Sequence, residues 1–151
     1  MQDIVTKPPT LYDTDFYAWA NEQAAVLRAG RFSEADIANI AEEIESLGKC
    51  EKRELVSRLA VLLMHLSKWR FQPNKRGKSW RLTIETQRAD TLEHLAENPS
   101  LRSQIDDVLK ASYRRARAEA AHETGLDPDT FPVVCPWTYD EIVDHNLWPE
   151  S

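Results

Sequence analysis

Glycine is scarce, with four in 151 residues, and no glycine-rich phosphate loop, GxSxG elbow or HExxH pair occurs. Nucleotide-dependent catalysis is therefore not expected, and no cofactor is implied. Cysteine is scarcer still. Cys50 and Cys135 stand far apart and outside any CxxC pair, so no disulfide framework is expected and both read as buried or half-buried thiols. No apolar run approaches the roughly 20 residues that cross a bilayer. The opening MQDIVTKPPT has no basic region leading into an apolar one. A cytoplasmic location with no membrane partner is the expectation. Positive charge is in deficit, 19 Lys and Arg against 25 Asp and Glu for a net charge of −6, which argues against a duplex-DNA binder that must neutralise phosphates.

What is present is helical periodicity. From Arg53 to Phe71 the residues Leu55, Val56, Leu59, Ala60, Leu62, Leu63 and Leu66 cover about half of a helical circumference. Val61 and Met64 widen the arc, leaving Ser57, Arg58, His65 and Lys68 as a narrow polar strip. A helix apolar over so wide an arc must be covered on several sides, which predicts the hub of a bundle. At roughly 1.5–3 kcal/mol per buried large apolar side chain, this segment dominates the core.

The remaining segments arrange themselves around that hub. Residues 1–10 read as an extended lead-in. A first helix, capped by Asp13 or Thr14, runs to about Ala29, with Gly30 in the left-handed position beyond it. Ser33 and Asp36 form a capping-box-like pair before a stripe of Ile37, Ile40, Ala41, Ile44 and Leu47, which Gly48 closes with a tight turn or kink. After the hub, Pro73 and Gly77 impose a loop. A fourth helix starts near Ser79 with Trp80, Ile84, Leu92 and Leu95 inward. A fifth follows Asn98 and Pro99, carries Leu101, Ile105, Val108, Leu109, Ser112 and Ala116 along its seam, and ends at Gly125. The proline-punctuated tail 126–148 lies extended until Thr138 and Glu141 cap one short final helix. The prediction is an all-α bundle of about five main helices around 53–71, with residues 11–148 as a single domain.

Five stretches, LYDTDFYAW (11–19), AEEIESLGKCEKREL (41–55), LLMHLSKWRFQP (62–73), SWRLTIETQR (79–88) and ETGLDPDTFPVVCPWT (123–138), resemble a bacterial family known only as domain-of-unknown-function family twenty-nine. They stand in the family's order across nearly the whole chain. The resemblance implies a compact helical domain of the bacterial cytoplasm, notably in proteobacteria or cyanobacteria. It brings no catalytic residues to transfer. Cys50 departs from the family's pattern, where a small polar residue is expected.

Three constellations carry functional expectations. No acid occurs from Leu55 to Ile84, while Lys68, Arg70, Lys75, Arg76, Lys78 and Arg81 alternate with Trp69, Phe71 and Trp80. Such a basic-aromatic stretch suits a protein partner's hot spot, or single-stranded nucleic acid or another anion. It suits equally an internal pairing with the acidic segment 34–47. Second, Glu43 and Glu45 flank the stripe of their helix and could face Arg58 and His65 across a cleft, the arrangement of an acid/base or metal-dependent enzyme centred on His65. Third, a bundle metal site needs two Glu-x-x-His motifs. Only Glu119–His122 exists, and His65, His94 and His122 with a carboxylate are the remaining route. The leading expectation is a non-catalytic interaction module acting through 68–81, with no catalytic residues and no metal ligands assigned. Its protein partner is of unknown identity, and the apolar tail packed against a second copy would make a homodimer.

Overall fold

Residues 9–150 are those the computed structural model describes. The lead-in expected over 1–10 lies outside them up to residue 8, and Thr10 is extended (φ −85°, ψ 168°). The fold is all-α, with no strand among the described residues. Its helices are α1 (Leu11–Thr14), α2 (Phe16–Arg28), α3 (Ile37–Phe71), α4 (Lys78–Glu97), α5 (Ile105–Thr124) and α6 (Tyr139–Val143). Contacts divide the chain into two compact units, Met1–Gly48 and Lys49–Ser151.

In the first unit the initial helix breaks in two. Thr10 and Asp13 form a capping box for α1, with Thr10 Oγ1 donating to Asp13 Oδ2 at 2.9 Å. Asp15, not Asp13 or Thr14, caps α2, accepting from the Ala18 N–H at 3.0 Å. Gly30 takes the expected left-handed conformation (φ +72°). Ser33 does not cap the next helix. It lies in a short 3₁₀ turn, Phe32–Glu34, and Asp36 directly precedes α3. The Asp36 carboxylate accepts from Trp19 Nε1 at 3.0 Å and Asn39 Nδ2 at 2.8 Å, and its N–H donates to Gln23 at 2.8 Å. These bonds tie α2 to the start of α3.

Gly48 is the main departure from expectation. It neither closes a helix nor starts a kink, because α3 runs unbroken for 35 residues. Only Gly30 and Gly125 have positive φ. A glycine inside a helix costs about 1 kcal/mol relative to alanine, which Leu, Glu, Lys and Arg on either side can outweigh.

The second unit is built around the latter part of α3. Leu55, Leu59, Ala60, Leu62, Leu63 and Leu66 are fully buried, as the hub reading requires. They pack with Ile84 and Leu95 of α4, Val108, Tyr113, Ala116 and Ala120 of α5, and Phe131 and Ile142 of the tail. Helix α4 turns Ile84 and Leu95 inward and packs Trp80 against the core, as expected, but not Leu92. Leu92 is exposed, whereas Arg88, Thr91 and His94 are buried beside Ile84 and Leu95. The face is set by the i, i+4, i+7, i+11 register of 84, 88, 91 and 95. Gly125 ends α5 in the left-handed conformation (φ +70°). Thr138 and Glu141 make the expected capping box for α6.

Candidate functional site

The basic-aromatic stretch 68–81 spends most of its groups internally. Lys68 is buried, with Nζ 2.7 Å from Glu123 and 4.8 Å from the centre of the Trp80 ring. Trp69 is buried and packs on Trp148 at 4.8 Å between ring centres. Arg76 Nε donates to the Trp69 carbonyl at 2.6 Å and Nη2 to the Pro149 carbonyl at 3.2 Å. Arg81 lies over Trp148 and Arg70 over Phe71. The carboxylate that Lys68 finds is thus Glu123 at the end of α5. Lys75 and Lys78 are exposed, with no internal partner among the described residues.

The second constellation expected Glu43 and Glu45 on a different helix from His65, whereas all three stand on α3. The expectation placed them on two facing helices, and the missing break at Gly48 removes that premise. Glu43 instead accepts from the Tyr12 hydroxyl, a bond that pushes the phenol up to about 12. Glu45 is exposed. Arg58 pairs with Glu54 at 2.6 Å and Asp90 at 3.3 Å. His65 is half-buried with Nδ1 2.9 Å from the Val61 carbonyl. That carbonyl can only accept, so Nδ1 carries the proton. Burial holds the His65 pKa below its ordinary value, with the Val61 bond opposing.

Nor do the three histidines converge. His94 sits with Glu51 and Glu54, their ligand atoms within 4.8 Å of one another. Together with Arg58, Asp90, Glu93 and Glu97 they line a polar cleft of about 310 Å³. Two carboxylates and an imidazole are a metal-capable donor set, but here they are otherwise engaged. His94 Nε2 lies 2.8 Å from the Glu51 backbone carbonyl and so donates its hydrogen there. Glu51 also accepts from Asn98 at 3.5 Å, and Arg58 neutralises Glu54 and Asp90. The cleft joins α3 to α4 by hydrogen bonds and ion pairs. Glu119 pairs with Arg115 at 3.0 Å.

A second concave surface was not singled out by the sequence. A half-open groove of about 830 Å³ runs along α5 and the tail. Its apolar lining includes Leu109, Ala118, Ala121, Leu126, Val133 and Val134, together with the half-buried Cys135. Lys110, Arg114, Arg117 and His122 stand around it, and no acidic side chain lines it. Periodicity places 110, 114 and 117 one turn apart on α5. Lys110 and Arg114 are exposed and without partners among the described residues, whereas Arg117 donates to the Phe131 carbonyl at 3.0 Å and reaches Asp129 at 3.8 Å. Val133 and Val134 are each 78% exposed. Tyr113 ties the tail to α5: its hydroxyl donates to the Pro132 carbonyl, and burial raises its pKa to about 12. Burial also raises the Cys135 pKa, so the thiol stays protonated and donates to the Trp137 carbonyl. Cys50, expected at least half-buried, is exposed.

The signal for this groove was a row of cations at i, i+4, i+7 followed by two adjacent exposed valines. Adjacent valines in a proline-punctuated tail have no helical period that would tell an exposed face from a buried one, which is why the feature is hard to read from sequence. No helix among the described residues is long and apolar enough to cross a membrane. No curated protein and no solved structure matches the chain at a significant level. A family described as "Domain of unknown function DUF29" matches residues 11–148. That match spans both compact units and takes in every stretch on which the resemblance rests, and the chain belongs to this family.

Proposed function

We propose that the protein is a non-catalytic binding module whose contact surface is the groove along α5, and that its ligand is an amphipathic helix with acidic flanks. One observation carries the reading: an exposed apolar groove edged by Lys110, Arg114, Arg117 and His122 and lined by no acid, in a chain of net charge −6. A helix laid in a groove is anchored by apolar residues at i, i+3, i+4 and i+7, and rim charges select its flanks and speed its arrival. The volume is of the size that specific ligand sites occupy. The stretch 68–81, the surface expected from sequence, is assigned instead to holding the chain's own C-terminal residues, because Arg76 and Arg81 hold Pro149 and Trp148.

The test uses the full chain and two labelled helical peptides of roughly 15 residues, both with leucines at i, i+3, i+4 and i+7. One is flanked by glutamates, the other by lysines. Fluorescence anisotropy should show saturable binding of the glutamate form alone. Salt should weaken it, and Lys110→Glu with Arg114→Glu should raise its Kd at least about tenfold. Equal binding of both peptides, or of neither, overturns the reading.

A further inference from the structure

Charge is not spread evenly along the groove. Lys110 and Arg114 are exposed and find no acid among the described residues. Further along α5, Arg117 is drawn to the tail instead: Nε donates to the Phe131 carbonyl at 3.0 Å and Nη2 lies 3.8 Å from Asp129. The Asp129 side chain is 94% exposed. With the exposed Asp127 it brackets Pro128, a lining residue of the groove. The Asp127 carboxylate accepts from the Asp129 N–H at 2.9 Å, which fixes the two acids in one short turn. Neither aspartate lines the groove, but a carboxylate so close to Arg117, which does, stands at its margin. From residue 126 to 135 the tail carries these two acids and no lysine or arginine.

We propose that the ligand helix is charge-segregated along its length. Its acids are confined to the end over Lys110 and Arg114, and bases or uncharged residues stand at the end beside Asp127 and Asp129. This narrows the groove reading above, on which it rests, because the two flanks of the ligand are then unlike. A helix rises 1.5 Å per residue, so Lys110 and Arg117 are about 10 Å apart along α5, beyond the Debye length of about 8 Å at physiological salt. At that spacing the ligand meets the charge of each end separately, not their average. Acids at i and i+4 of the ligand match Lys110 and Arg114, which have the same spacing. A second acidic cluster at the far end would face two aspartates, and Arg117 there is already shared between Asp129 and a carbonyl. Such like-charge contacts are how an interface rejects a near-miss partner. Segregation also fixes direction. A helix carries acids best in its first turn, so a ligand that does so lies parallel to α5.

Fluorescence anisotropy of the full chain at pH 8, above the usual histidine range, tests this with two further peptides of roughly 15 residues. Both have leucines at i, i+3, i+4 and i+7 and equal numbers of glutamates and lysines. One has its glutamates in the first half and its lysines in the second, and the other alternates them. Each carries a hydrocarbon staple on the face away from the leucines, so that helicity is equal. The segregated peptide should bind within about threefold of the glutamate-flanked one, and the alternating peptide at least about fivefold more weakly than the segregated. Lys110→Glu with Arg114→Glu should weaken the segregated peptide at least about fivefold. Asp129→Lys should weaken it about threefold and tighten the glutamate-flanked peptide by a similar factor. Opposite signs on two ligands cannot come from misfolding. Equal binding of the segregated and alternating peptides overturns the inference, and so does an Asp129→Lys variant that moves both ligands the same way or neither. In those cases the groove reading stands as long as the glutamate-flanked peptide binds. If no peptide binds, both fall.

Discussion

Arg88 is fully buried on α4, yet no carboxylate among the described residues pairs with it. Its Nε donates to the Ile142 carbonyl at 2.8 Å and Nη2 to the Leu147 carbonyl at 2.7 Å, while Nη1 has no partner. Burial pulls its pKa below the ordinary arginine value, opposed by Asp144 and Glu85. The guanidinium therefore acts as a fork that fastens the last turns of the chain to α4. Hydrogen bonds from charged donors contribute about 1.5–3 kcal/mol each. Against them stands the desolvation of the cation, which Arg88→Met would relieve. The net expectation for Arg88→Met is a loss of about 2–3 kcal/mol by urea unfolding. Arg88→Lys should lose nearly as much, because one ammonium cannot span both carbonyls. If Arg88→Lys is neutral, the two-pronged geometry is not what matters. His65 gives a second residue-scale expectation. Its folded pKa is depressed by burial, so the unfolded chain binds the proton more readily. The stability from a neutral His65 is complete above the unfolded pKa near 6.5 and falls as pH drops through the lower folded value. His65→Asn keeps a donor for the Val61 carbonyl and cannot titrate. Its stability should therefore decline less than the wild type's between pH 7 and 5, and parallel curves would remove His65 as the cause.

Among the elements, α3 matters most, and Gly48 is where its continuity is tested. A methyl group at Gly48 meets nothing within 4 Å, and the backbone there is not left-handed. Gly48→Ala should stabilise the protein by about 0.5–1 kcal/mol, read as a higher urea midpoint with unchanged slope. Gly125→Ala, at φ +70°, should cost about 1–2 kcal/mol even though its space is also open. Destabilisation by Gly48→Ala would mean that the chain bends there after all. The contrast shows what the sequence could and could not convey. Gly30 and Gly125 end helices and Gly48 does not, although all three follow apolar-periodic segments. Only the weight of strong helix formers on both sides of 48 separates them. The hub was legible because seven apolar residues at 3.6-residue spacing admit few alternatives. Helix α4 was misread at Leu92 because a buried arginine and histidine carry no apolar signal. The expected facing of Glu43 and His65 presupposed a helix break at Gly48 that is absent. The groove stayed hidden because the apolar residues of the tail that line it carry no period to show that they are exposed.

Across the whole molecule, burial is unevenly shared. Among the described residues, the first unit buries only Trp19, Gln23 and Val26, all on α2, and leaves Phe16, Tyr17, Phe32, Ile37, Ile44 and Leu47 at least half exposed. The second unit holds a continuous core of seventeen residues from Leu55 to Ile142. Local opening free energy follows the density of buried apolar contacts. Native-state hydrogen exchange should therefore find the amides of α2 opening at least about 2 kcal/mol more easily than those of Leu59–Leu66, roughly a thirtyfold difference in protection. The start of α3 should exchange with α2.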